Sequence, residues 1–257
     1  MNFRITVTVI KMLVSLCLIL TAFSAAIIQS TSGFGFGIIF MAVMTLFFPY
    51  KYCTVLSITT SFFMQTYTII RLRHYINWRL VLYPAITSVI MSGIGIHVMI
   101  KLPTQLTSLL LGTFLWILGI YLIFIAPHVK LPHNRRIGLL MGALGGFMDG
   151  VFAIGGPPMV AYYDAVIDQP LSYQATIQTY FWIVGLNVLI NNLICHNLTL
   201  HLVPLIALSV TGCLLGTLCG VHLLQKISMS AVRRLAYLVM LGAGTYNLIK
   251  FGVSVWH

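Results

Sequence analysis

Glutamate is absent from this chain, and only three aspartates stand among its 257 residues. Charged side chains make up 7% of it, where a soluble domain carries roughly 25%. An ordinary water-facing exterior is therefore excluded. A two-carboxylate acid–base mechanism is hard to build from so few acids. Cysteine is sparse: the five thiols are an odd number and form no C-x-x-C pair, which speaks against a disulfide scaffold and a zinc site. There is no H-E-x-x-H and no Walker loop. The Gly-x-Gly-x-Gly at 33–37 follows no strand and opens no βαβ unit, so it is not a nucleotide fingerprint. No enzyme, no metal and no cofactor is expected.

Apolar residues take the place of the missing charges, at 60% of the chain. Charges are missing from 12–50, 52–70, 80–100, 102–126, 137–148, 169–195, 202–225 and 235–249. Most of these runs reach the ~20 residues that cross a bilayer. The chain reads as a polytopic integral membrane protein. Its net charge of +11 comes from Lys and Arg in short loops, where a cytoplasmic bias places them. No basic stripe with interleaved aromatics points to nucleic acid. Arg4 and Lys11 before an apolar run, then "AFSAA", resemble a cleavable leader. The run has a counterpart later in the chain, so it is expected to stay.

The two halves can be laid over each other. "GIGIHVMIK" (93–101) matches "LCGVHLLQK" (218–226), pairing Gly95 with Gly220, His97 with His222 and Lys101 with Lys226. The same offset pairs Tyr121 with Tyr246. The Gly-rich stretch near residue 33 finds its partner in "GGFMDGVFAIGGPPMV" (145–160). The expected organisation is a first repeat at 1–127, a cytoplasmic linker at 128–136 and a second repeat at 137–257. Each repeat opens with a broken segment (10–49; 137–163). Three spans follow in each: 53–70, 80–100 and 105–126, then 172–195, 202–224 and 231–250. Loop charge reverses between the halves. Arg71, Arg73 and Arg79 have no basic counterpart in 195–201, while Lys101 alone faces Lys226, Arg233 and Arg234. The halves should therefore be inverted, and 137–163 should enter and leave on one side. The fold class is all-α, with two inverted-topology repeats, each a broken or re-entrant segment plus three transmembrane helices.

Irregular backbone at membrane depth survives only inside protein or beside a water-filled cavity. Gly155-Gly156-Pro157-Pro158 cannot continue a helix, though Pro157 suits the first turn of a new one. The first half should break at Gly33-Phe34-Gly35-Phe36-Gly37 and restart near Ile38. A restarted helix presents unpaired N–H groups and partial positive charge. Two such ends from inverted halves would make an anion site without charged side chains. Tight helix packing is the other use of such glycines.

Candidate substrate-binding residues follow. Gln29, Ser30, Thr31 and Ser32 precede the first break and offer donors to an oxyanion, or cap the next helix. Gly33, Gly35 and Gly37 would let the backbone approach the ligand, as would Gly155, Gly156 and Pro157. Thr60 and Gln178, with Ser61, Gln65, Thr179 and Asn187, lie on the spans after the breaks, where they bind ligand or join helices. Asp149 is the one charge inside an apolar segment. It is expected either to carry a proton coupled to the anion or to cap a helix end. The expected partners are a small anion, the lipid bilayer and a coupled proton, and nothing bars an oligomer.

"STSGFGFG" (30–37) and "GVFAIGGPP" (150–158), in two inverted halves, resemble the TauE/SafE sulfite exporter-like permeases. The second motif is close to the family's Gly-Gly-Pro form, whereas the first is a Gly-Phe-Gly-Phe-Gly variant without the doublet. The resemblance implies an inner-membrane carrier for sulfite, sulfonates or related organosulfur anions. With the residues' own reading it gives a secondary exporter working by alternating access. A channel-like pore and a non-transporting membrane assembly subunit are the rival readings.

Overall fold

The computed structural model describes residues 2–125, 132, 134–223 and 229–255. Most of the 128–136 linker, with Lys130, lies outside the described residues, as do Lys226 and the side chains of Arg233 and Arg234. Ten α-helices fill the described chain: α1 (Asn2–Ser32), α2 (Phe36–Met44), α3 (Tyr50–Leu72), α4 (Trp78–Lys101) and α5 (Thr104–Ile120), then α6 (Arg135–Phe152), α7 (Gly156–Val166), α8 (Pro170–Ile194), α9 (Val203–Leu223) and α10 (Met229–Val255). There is no strand among the described residues. Six helical stretches are long and apolar enough to cross a membrane: Met12–Ser32, Tyr50–Tyr75, Trp78–Lys101, Leu106–Ile125, Pro170–Ile194 and Leu200–Gly220. The all-α, multi-spanning expectation holds.

Lipid rather than water suits the outer faces. On α4, Ile86, Ile90 and Ile94 recur every four residues and are all exposed. That spacing forms one stripe of a helix, and an apolar stripe without cover belongs in hydrocarbon. The opposite face of α4 packs on α6. A Cβ at Gly142 would overlap Pro84, one at Gly146 would overlap Ser88 and one at Gly150 would overlap Ser92. Small residues here bring two backbones together, the usual means of packing helices in membranes. The register advances in step along both helices, so α4 and α6 run parallel. The same holds for α1 and α9, where Ile19 meets Gly212 and Phe23 meets Gly216.

The α6–α7 segment begins and ends beside the first turns of α4. The Arg135 guanidinium lies over the Tyr83 ring, 3.7 Å from its centroid, and Tyr163 Oη donates to Leu80 O at 3.2 Å. Arg71, at the end of α3, shares a vestibule with Asp164, in the last turn of α7, and with Asp168, just past that helix. One face of the molecule thus carries the α3 end, the α4 start and both ends of α6–α7. The two ends of this broken segment therefore lie on the same side of the molecule. α3 and α8 pack on each other at the centre, and each also touches the other half: α3 meets α9 and α8 meets α4.

Candidate functional site

Both breaks are built alike. α1 ends because Gly33 takes φ 84°, a left-handed conformation that glycine adopts without penalty, and Gly33 N donates to Gln29 O at 2.8 Å. α6 ends on Ala153 at φ 56°, whose N donates to Asp149 O at 2.8 Å. The left-handed turn costs an alanine roughly 1–2 kcal/mol, so surrounding contacts must hold it. They include Gly37, where a Cβ would overlap Ala153 O, and the Tyr50 hydroxyl, which donates to Val151 O. The two breaks touch again where Phe34 lies against Gly156.

A side-chain oxygen then closes each gap. Gln29 Oε1 accepts from Phe36 N at 2.9 Å, and Asp149 Oδ1 accepts from Gly155 N at 3.2 Å. α2 therefore starts at Phe36 rather than near Ile38, because its first amide is capped from the preceding helix. Ser30, Thr31 and Ser32 do not cap α2. Thr31 and Ser32 donate back into α1, to Ile28 O at 2.9 and 2.7 Å. At α2 the first helical bond runs from Ile39 N to Gly35 O, so the amides of Gly37 and Ile38 have no carbonyl one turn back. At α7, prolines 157 and 158 have no N–H, and Gly156 offers the one remaining amide of the first turn. The first break is the richer donor.

Between the breaks lies a small cavity of about 40 Å³, where one water needs roughly 10–15 Å³ on the same measure. It has room for a few waters or one compact oxyanion. Its lining pairs residues 120 positions apart: Gln29 with Asp149, Phe34 with Ile154, Gly35 with Gly155, Ser61 with Phe181 and Gln65 with Gly185. Gly37 and Gly156 complete the contact between the breaks, and Ser57 adds a hydroxyl on α3. The α3 wall is polar, with Ser57, Ser61 and Gln65 on one helical stripe, whereas the α8 wall offers Phe181 and Gly185. Gln65 is buried, and its Oε1 has no hydrogen-bond partner. An unpaired polar atom of this kind costs about 1–3 kcal/mol unless something else satisfies it.

A second, larger space of about 340 Å³ opens beside α1 and shares no lining residue with the cavity. Ser30, Thr31 and Ser32 line this vestibule, with Tyr173, Gln174 and Arg71. Between the two spaces runs a ladder of amides. Gln29 Nε2 donates to Gln178 Oε1 at 3.2 Å, and Gln178 Nε2 donates to Gly33 O at 3.2 Å. Gln174 Nε2 donates to Gln29 O at 3.3 Å and to Ser30 O at 3.1 Å.

The structure thus divides the expected site residues. Gln29, Gly35, Gly37, Asp149, Gly155 and Gly156 reach the cavity, Gly33 and Gln178 form the partition, and Ser30, Thr31 and Ser32 face the vestibule. Thr60 turns away, donating to Ser209 Oγ on α9 at 2.9 Å, and Pro157 lies in an outer groove with Phe114 and Met141. Gln174 was not expected. Its signal was the four-residue spacing to Gln178, which sets both amides on one face of α8. Phe181 and Gly185 left no polar signal at all.

Six helices long and apolar enough to cross a membrane, with two broken helices meeting at a small interior cavity, define a multi-pass membrane protein. The chain belongs to the family described as sulfite exporter TauE/SafE, whose profile matches residues 18–247. A curated relative from Cupriavidus necator, named probable sulfite/organosulfonate exporter TauE, is 24% identical over 238 residues, covering 89% of this chain and 91% of the relative. No solved structure matches the chain significantly. The protein is a multi-pass protein of the inner membrane, in a family of transporters.

Proposed function

We propose that the chain exports a small oxyanion, sulfite or an organosulfonate, as a secondary carrier whose two inverted halves alternately open the central cavity. The cavity between the breaks carries this reading. Helix N-termini bring partial positive charge to this space, and the N–H groups of Gly37 and Ile38 have no carbonyl acceptor one turn back. The relative's name supports the anion class. The inverted repeat is supported by the shared break geometry, by the lining pairs 120 positions apart and by parallel packing of α1 on α9 and α6 on α4. The amide ladder between cavity and vestibule favours a carrier over an open pore.

Asp149 supplies the coupling. An ionised carboxylate in the cavity repels an anion, whereas a protonated one does not. Binding a proton before the anion, and releasing it afterwards, would tie the two movements together.

The test is transport by the purified protein in proteoliposomes, with sulfite, ethanesulfonate, sulfate and acetate as solutes. Saturable uptake of sulfite or the sulfonate, accelerated by the same anion trapped inside, is the expected result. Uptake without counterflow would make the protein a pore. No uptake of any of the four would overturn the reading.

A further inference from the structure

Gly185 stands in the middle of α8, buried, where glycine weakens a helix and would ordinarily be replaced by alanine. Packing does not explain it. A Cβ built there would meet a single atom within 4 Å, Gln65 Oε1 at 3.5 Å, an ordinary contact distance. Other glycines of the protein with open space around them, Gly93, Gly242 and Gly252, are not buried. Gly185 is buried and still has room, because the room is the cavity.

Across that room, Gln65 is 5% exposed, and its carboxamide oxygen is left without a partner. The end of the amide can present oxygen or NH2 by a half turn. A vacant amide and a vacant glycine thus face each other inside one cavity, on the two central helices. We propose that Gln65 is the hydrogen-bonding contact for the transported oxyanion, and that Gly185 is the clearance that lets the solute reach it. This rests on the carrier reading above and names the pair that selects its solute. The oxygens of the anion face the α3 wall, where Ser57, Ser61 and Gln65 follow one another at four-residue steps on one stripe, and Phe181 closes the other side.

The experiment compares wild type, Gly185→Ala and Gln65→Leu in the same proteoliposomes, with sulfite as the solute and the thermal midpoint in detergent as a check on folding. An alanine at 185 meets no clash and strengthens the helix, so its midpoint should hold or rise. Its methyl should nevertheless raise the KM for sulfite about tenfold, as loss of one good hydrogen bond would. Gln65→Leu should raise KM at least as much, while Gln65→Asn should recover part of the affinity. Unchanged KM in both Gly185→Ala and Gln65→Leu, with wild type active, would overturn this pair and leave the carrier standing. A lower midpoint in Gly185→Ala would show that the glycine serves packing, and would also overturn it. An inactive wild type would remove the carrier reading and this one together.

Discussion

Gln29 and Asp149 hold the same post at the two helix breaks. Each stands four residues before the left-handed residue that ends its helix and accepts that residue's N–H at 2.8 Å. Each then lends a side-chain oxygen to an amide across the break, Gln29 to Phe36 N and Asp149 to Gly155 N. Both line the cavity. One post carries a neutral amide and the other a carboxylate, so only one side of the cavity can change its charge.

Asp149→Asn keeps the oxygen that accepts from Gly155 N and removes the titratable group. Stability should stay within about 0.5 kcal/mol, since asparagine caps as well as aspartate. Transport should persist but lose its dependence on pH when rates are compared two pH units apart. Asp149→Ala removes the cap as well and should cost roughly 1 kcal/mol, read as a lower thermal midpoint. Intact pH dependence in Asp149→Asn would end the proton role.

Gln178→Leu cuts the ladder between cavity and vestibule. It strands Gln29 Nε2 and Gly33 O inside the protein. With about 1–3 kcal/mol for each buried group left unpaired, a loss of several kcal/mol is expected. Denaturation in detergent measures it, and a midpoint equal to wild type would show that the ladder is not holding the break.

Glycines of the breaks should rank by what stands in the way of a Cβ. Gly33→Ala forces alanine into φ 84° and meets the Tyr173 ring at 2.8 Å; about 1–2 kcal/mol comes from the backbone alone. Gly37→Ala meets the backbone carbonyl of Ala153, which cannot swing aside. It should lower the midpoint more than Gly33→Ala does, by about 1–3 kcal/mol for overpacking. The reverse order would mean that the breaks do not touch as described.

Thr60→Val removes the bond to Ser209 Oγ that joins α3 to α9. It should cost about 1 kcal/mol and leave the KM for sulfite unchanged. A raised KM with unaltered stability would return Thr60 to the solute's path.

Much of the fold was legible because its signals are local. The lack of charge over whole runs set the spans, and α3, α4 and α8 begin within three residues of where the apolar runs placed them. The breaks were legible as Gly-rich tracts, since glycine is what a chain uses to leave a helix at membrane depth. The restart at Phe36 was not, because it depends on a cap from Gln29, seven residues earlier and on another helix. Ser30, Thr31 and Ser32 follow Gln29 directly in the sequence. Gln29 reaches the cavity while these three line the vestibule, a division made by the helices that pack around the end of α1 and not by the order of residues along it.

By itself the sequence determined that this chain lives in a bilayer, that it is all helix, and that two of its helices must stop within it. Those properties follow from composition and from glycine and proline, which act on the backbone where they stand. Tertiary structure alone decided which side chains meet. Gln65 and Gly185 are far apart in sequence, and they face each other only because α3 and α8 pack at one particular rotation. Rotation of one helix against another is set by contacts along their whole length, and no short stretch of residues encodes it.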